Sequence, residues 1–393
     1  MKKTLRDIQI SGKRVLMRAD FNVPLNEERV ITDDSRITAA MPSIKYILDN
    51  SGKLILMSHL GRPKGEVDDA LRLDPVAKRL SELLGKNVKK MPDCIGSDVE
   101  TAVKDMRDGD VILLENLRFH KEEKKNDPDF SKKLASLGEV FVEDAFGTCH
   151  RAHASTVGVT ASLPGVAGFL VEKEIEYFEK VTKSPEKPFC LILGGAKVSD
   201  KIPLIENMLG KIDFLLIGGA MAYTFLKSRL KGVGASRVED GMADTVEKIF
   251  ALAKEKGVSI FLPQDHIVAK EISPKSRRKV VNEHIPDGWI GLDIGPKTVR
   301  TYCNVIKESK TIVWNGPVGL FEMKPFMGGT KKIAQMMSKA DATTVIGGGD
   351  TAAAVNQLGL GGKMSHMSTG GGASLEYLEG KELPGITALE DKD

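Results

Sequence analysis

Four short motifs in the first half of the chain place arginine or histidine just after apolar runs: Arg18-Ala19-Asp20-Phe21-Asn22, Ser58-His59-Leu60-Gly61-Arg62, Glu115-Asn116-Leu117-Arg118 and His150-Arg151-Ala152-His153. Guanidinium groups grip small polyanions through paired hydrogen bonds. The second half carries glycine instead, in Gly194-Gly195-Ala196-Lys197, Gly218-Gly219, Gly347-Gly348-Gly349-Asp350 and Gly370-Gly371-Gly372. Glycine turns at helix starts let bare N–H groups approach phosphate. One half suits a compact anion and the other a nucleotide, which points to phosphoryl transfer between two bound ligands.

The elements that position these motifs follow from apolar patterning. Unbroken apolar runs at Arg14–Met17, Lys53–Met57, Val111–Leu114, Val140–Val142, Cys190–Leu193, Phe214–Ile217, Ile260–Leu262, Ile312–Trp314 and Thr344–Ile346 suit strands buried on both faces. Between two of them a helix is well marked, with Asp74 as its cap, Pro75 in its first turn, a Val76, Leu80, Leu83, Leu84 stripe and Gly85 at its end. A charged helical stretch, Glu172–Lys183, followed by a proline-rich break, marks a boundary. The expected fold is α/β: two Rossmann-like domains, each a mostly parallel sheet covered by helices, joined by a helical hinge. Residues 1–170 form the first domain, 171–187 the linker and 188–377 the second. The 393-residue length fits two cores of roughly 180–200 residues each. Ligands in such sheets sit beyond the carboxyl ends of the strands, where nearly all the motifs fall.

Several classes are disfavoured. Neither G-x-x-x-x-G-K-[ST] nor G-x-G-x-x-G occurs, which argues against a P-loop NTPase, a protein-kinase glycine loop and a nicotinamide-dependent dehydrogenase. The two lysines Lys197 and Lys201 lie one helical turn apart after a buried strand, positioned to meet one ligand's phosphates or simply solvated. Asp350 is either a helix cap or a holder of the magnesium that accompanies a nucleotide. Each first-half arginine is a ligand or a structural ion pair, and Asp20 can orient an arginine instead of touching substrate.

Charge is nearly balanced, at +3 net, so bulk attraction to nucleic acid or membrane is not implied, although eleven of sixteen arginines precede residue 186. The four cysteines, Cys94, Cys149, Cys190 and Cys303, match no CxxC spacing, and no Cys or His pair stands at transition-metal ligand spacing. Reduced thiols, no apolar signal core and no membrane-length apolar run lead us to expect a cytoplasmic protein.

Taken together, the motifs identify a resemblance. Arg14-Val15-Leu16-Met17-Arg18-Ala19-Asp20-Phe21-Asn22-Val23-Pro24 resembles the signature of the phosphoglycerate kinase family in its single-function bacterial form. Ser58–Lys64, Glu115–Phe119, Gly147–Ala154, Leu193–Lys201, Trp314–Glu322, Gly347–Thr351 and Ser368–Glu376 are similar to its other motifs, in order, across essentially the whole chain. The resemblance implies reversible, magnesium-dependent transfer of the acyl phosphate of 1,3-bisphosphoglycerate to ADP, giving 3-phosphoglycerate and ATP, by a monomer. It implies a 3-phosphoglycerate site of Asp20, Asn22, Arg36, His59, Arg62, Arg118 and Arg151. Its nucleotide site would hold Lys201, Gly291, Glu322, Gly348, Gly349, Asp350 and Thr351, with Asp350 nearest magnesium, Glu322 on the ribose, and Gly218, Gly219, Leu292 and Leu320 lining the adenine pocket. Arg36 and Lys197 would stabilise the transferring group, with donors from the Gly371 and Gly372 amides. The family's C-terminal helix, here within 378–393, would pack back on the first domain. Hinges are expected at Glu172–Lys187 and Ser368-Thr369. The rival from another class is a catalytically silent nucleotide-binding scaffold. Cys149 stands where the family often has alanine, either beside the substrate site or as an inert buried thiol.

Overall fold

In the computed structural model, which describes residues 1–392, the apolar runs become parallel strands. The first six are β1 (Arg14–Ala19), β2 (Lys53–Met57), β3 (Lys89–Lys90), β4 (Val111–Leu113), β5 (Val140–Asp144) and β6 (Gly165–Ala167). They form one sheet in the order β3-β4-β2-β1-β5-β6, every pairing parallel. Val15 and Met17 of β1 enter one apolar cluster with Leu54, Leu56, Val111, Leu113 and Val142. Leu16, Ile55, Ile112 and Phe141 point to the opposite face and are equally buried. A sheet closed on both faces has no use for polar alternation, which is why the strands read as continuous apolar runs.

The remaining strands are β7 (Phe189–Leu193), β8 (Phe214–Ile217), β9 (Ser259–Phe261), β10 (His266–Ala269), β11 (Lys279–Val281), β12 (Ile290–Ile294), β13 (Thr311–Asn315), β14 (Thr343–Gly347) and β15 (His366–Met367). Six of these make a second parallel sheet ordered β15-β14-β13-β7-β8-β9. Cys190, Ile192, Leu216, Ile312, Trp314 and Ile346 line one face of it, and Leu191, Leu215, Val313 and Val345 are buried on the other. β11-β10-β12 form a separate antiparallel sheet that the apolar runs did not reveal.

The chain divides into two compact units: Met1–Glu176 together with the chain from Glu382 onward, and Tyr177–Lys381. In each sheet the order reverses beside a central strand, at β1/β5 in the first and β7/β13 in the second. Such switch points open a crevice beyond the carboxyl ends of the strands. Helix Asp74–Leu84 has Pro75 in its first turn and Gly85 beyond its end at φ 64°. Asp74 is its first residue and not its cap, and its carboxylate lies 3.3 Å from Lys90 Nζ.

The expected helix within 378–393 reduces to one turn, Pro384–Thr387. Gly380, at φ 81°, ends the preceding helix, and Leu383 is extended before Pro384. Gly385 donates its N–H to Cys149 O at 2.8 Å. Farther on, Lys3 N–H donates to Glu390 O at 2.8 Å, so this segment pairs with the chain's beginning. No helix among the described residues is long and apolar enough to cross a membrane.

Candidate functional site

β1 ends close to Arg18, whose side chain is fully buried. Its Nε donates to Ser155 Oγ at 2.9 Å, and its Nη2 lies 3.0 Å from His59 Nδ1. Ser155 donates in turn to Glu123 Oε1 at 2.6 Å and, through its N–H, to Glu123 Oε2 at 3.0 Å. A buried guanidinium is tolerable only when paired and hydrogen-bonded, and the Arg18–Ser155–Glu123 chain satisfies that need. Glu123 and Ser155 escaped the sequence reading. Glu123 sits inside Lys121-Glu122-Glu123-Lys124-Lys125, which has the composition of a solvated face, yet it is fully buried.

Around this anchor the expected substrate residues gather. Asp20 pairs with Arg36, at the start of helix Ser35–Asp49, and accepts the Asn22 N–H at 3.1 Å. Asn22 Oδ1 accepts the Gly61 N–H at 2.8 Å, which fixes the loop presenting the exposed Arg62. Asn116 ties that loop to the next one: its Oδ1 accepts the N–H groups of Leu60 (3.2 Å) and Arg118 (3.1 Å). Arg118 Nη1 donates to Gly61 O at 2.9 Å, while its buried Nε has no hydrogen-bond partner among the described residues. Burial and the neighbouring Arg18 bring this guanidinium down to about 10. Arg151 is exposed.

The histidines report the same field. Burial, then Arg18, Arg118 and Arg36, push His59 well below its ordinary value. His153 is pushed down to about 4 by burial and then by Arg18 and Arg118. Both imidazoles are therefore neutral near pH 7, and the positive charge belongs to the arginines. Crowded cations with an orphaned donor form a preorganised seat for a small polyanion. Cys149 is no part of it. Its thiol is fully buried, lies 3.6 Å from Ala145 O, and is pushed well above its ordinary value by that burial. The inert reading of this cysteine is the one the structure favours.

In the second unit the polar groups are largely backbone. The loops after β7 and β13 touch so closely that a Cβ on Gly194 would lie 2.1 Å from Pro317 O. Gly219, at φ 66°, could carry a Cβ only 2.6 Å from Gly195 N. Gly218 and Gly291 owe their identity to packing, since a Cβ would meet Val318 Cβ at 2.6 Å and the Tyr223 hydroxyl at 2.1 Å respectively. By contrast, a Cβ on Gly349 or Gly371 would meet nothing within 4 Å, so these two glycines border open space. They stand at the starts of helices Gly349–Gln357 and Gly372–Leu378. Ser368 Oγ accepts the Gly370 N–H at 3.1 Å and lies 2.5 Å from Ser374 Oγ, which secures the second loop.

Side chains complete this half. Lys201 Nζ donates to Asn315 Oδ1 at 2.5 Å; burial lowers its pKa, opposed by the charges of Asp200, Glu379 and Asp350. Lys197 is exposed. Its helix start is tied by Glu239, which accepts the N–H groups of Val198 (2.8 Å) and Ser199 (3.1 Å), a support no local motif announced. Thr351 is fully buried, with its hydroxyl accepting the Gly316 N–H at 2.7 Å, so it joins the two loops instead of facing outward. Leu292 and Leu320 share an apolar cluster with Phe326 and Met323, and Glu322 next to it is exposed. Asp350 is exposed and accepts no hydrogen bond among the described residues. A free carboxylate beside a glycine loop is a suitable ligand for a hard cation shared with phosphates.

The family model of phosphoglycerate kinase matches residues 5–381. The chain belongs to the phosphoglycerate kinase family. It is 56% identical over 393 residues to the phosphoglycerate kinase of Clostridium botulinum, covering 99% of both chains, and 54% identical to that of Moorella thermoacetica over the full length of both. The solved phosphoglycerate kinase of Coxiella burnetii superposes with a TM-score of 0.90 at 39% identity, covering 99% of this chain and 98% of that one. That of Pyrococcus horikoshii gives 0.85 at 32% identity with the same coverage. These relatives are phosphotransferases, and nothing in the comparison supports a silent scaffold.

Proposed function

We propose that this chain catalyses the reversible, magnesium-dependent transfer of the acyl phosphate of 1,3-bisphosphoglycerate to ADP, giving 3-phosphoglycerate and ATP. The observation that carries the reading is the arginine cluster, above all the buried Arg118 Nε without a partner. We assign 3-phosphoglycerate binding to residues 1–170, through Asp20, Asn22, Arg36, His59, Arg62, Arg118 and Arg151. Nucleotide binding falls to residues 188–377, through Lys201, Leu292, Leu320, Glu322 and the Gly348–Thr351 loop.

In the direction from 3-phosphoglycerate, the attacking carboxylate is already ionised near neutral pH, so no general base is required. The obstacle is electrostatic, an anion meeting an anionic γ-phosphate, and alignment plus fixed positive charge overcomes it. Arg36, which pairs with Asp20 at rest, exchanges that partner for the transferring group. Lys197 and the Gly371 and Gly372 amides supply further donors. Magnesium, when bound, neutralises nucleotide phosphate charge, and Asp350 is the residue that would hold it. The two ligands are assigned to different units, so both must be bound for turnover, and exclusion of water from the transferring group limits ATP hydrolysis. The chain acts as a monomer in the cytoplasm, independent of nucleic acid and membrane.

The test is to incubate the protein with 3-phosphoglycerate and Mg-ATP and trap the acyl phosphate with hydroxylamine. Hydroxamate that requires both substrates and magnesium is expected. No hydroxamate from folded protein that still binds ATP would overturn the assignment.

A further inference from the structure

No Cys or His pair is spaced in the sequence as metal ligands, but the fold assembles a set from residues far apart. Asp93 and Cys94 follow β3, and His120 follows the short helix Leu117–Phe119 after β4. The two strand ends are fastened to each other: Met91 N–H donates to Leu113 O at 2.9 Å and Glu115 N–H to Asp93 O at 3.3 Å. One ligand atom from each residue, an oxygen, a sulfur and a nitrogen, lies within 4.8 Å of the other two. His120 Nε2 is 2.7 Å from Asp93 Oδ1, and its ring lies 5.1 Å from that of Phe130, which fixes the imidazole plane. Cys94 is fully buried, while the Asp93 and His120 side chains keep 49% and 25% of their surface exposed, which leaves an entry path. Glu122 and Glu123 add negative charge near His120.

We propose that Asp93, Cys94 and His120 form a binding site for one zinc-class divalent cation per chain, with water as fourth ligand. Bonds of about 2.0–2.3 Å in tetrahedral geometry place ligand atoms about 3.3–3.8 Å apart. The Asp93–His120 pair needs to open by less than about 1 Å to accept the ion. When the ion binds, the Cys94 S–H bond breaks, its proton goes to solvent and a sulfur–metal bond forms. The hydrogen on His120 Nε2 is exchanged through solvent for one on Nδ1, so the ring stays neutral and the Nε2 lone pair turns to the metal. The mixed O, N, S set distinguishes this site from Asp350, which offers only hard oxygen to magnesium. The proposal stands independently of the reaction assigned above.

The test uses the full, metal-stripped, reduced protein titrated with Co2+. A thiolate-to-cobalt charge-transfer absorption in the near ultraviolet is expected, saturating at one equivalent, bleached by Zn2+ and unaffected by excess Mg2+. Cys94→Ser abolishes it, while Cys303→Ala, which removes the one partly exposed cysteine, retains it. Absence of the band in the folded wild type, or an unchanged band in Cys94→Ser, would overturn the proposal. Should Cys94→Ser not fold, His120→Gln serves: at least a tenfold weaker Co2+ affinity is expected, and unchanged affinity would be equally fatal.

Discussion

On the assignment proposed above, the two units face the same problem, holding an anion beyond the ends of parallel strands, with different materials. In the first, side chains do the holding, and they are held by other side chains: Glu123 by Ser155, Ser155 by Arg18, Arg18 by His59. In the second, backbone does it, and the glycines are fixed by how closely loops approach, as where Gly219 meets Gly195. A side-chain cradle is sensitive to lost partners. A backbone cradle is sensitive to added atoms. Deletions should therefore damage the first half most, and single methyl groups the second.

The largest effect expected is for Arg36→Ala. A charge that acts on the transferring group is worth about 10³-fold in kcat, with KM for both substrates changing less than about tenfold. Steady-state kinetics checks this, and a variant altered chiefly in KM would make Arg36 a binding residue only. Next is Gly219→Ala. A Cβ forced into φ 66° and within 2.6 Å of Gly195 costs about 2–3 kcal/mol, seen as a lower denaturant midpoint. An unchanged midpoint would show that the loop yields freely.

Ser155→Ala tests the side-chain cradle in the same units. Leaving Arg18 Nε and Glu123 Oε1 unpaired costs about 2 kcal/mol and raises KM for 3-phosphoglycerate while leaving that for ATP alone. Equal changes in both KM values would deny the network its local role. The last effect is negligible at neutral pH and develops only on acidification. His153 titrates at about 4 in the folded protein and near 6.5 when unfolded. As pH falls through that window the unfolded chain takes up the proton first, so this residue lowers native stability. Relative to His153→Gln, the wild type should lose up to about 1.4 kcal/mol per pH unit between about 6.5 and 4. Parallel stability curves for the two proteins would contradict the burial of a neutral imidazole.

The contrast also explains what was legible in the sequence. Strands such as Leu191–Leu193 and Val313–Trp314 announced themselves because both faces are buried, leaving no polar residue to blur the run. β11 (Lys279–Val281), exposed along most of its length, and β3, two lysines, carried no such mark. Glycine turns and strand-end arginines were visible because few residues can replace them. Their supports were not: Glu123, Ser155 and Glu239 act through distances of 32 to 137 residues along the chain, where no local pattern exists. The same blindness hid the convergence of Cys94 with His120. It also hid the bond by which the Thr351 hydroxyl holds the Gly316 N–H.

The division of labour between the units is tested most directly by binding alone. Isothermal titration of 3-phosphoglycerate and of Mg-ATP into Arg118→Ala and Lys201→Ala should show a double dissociation. Arg118→Ala should weaken 3-phosphoglycerate about tenfold or more and leave Mg-ATP unchanged, and Lys201→Ala should do the reverse. If either variant weakened the wrong ligand, or both ligands equally, the account of two half-sites built on separate principles would be contradicted.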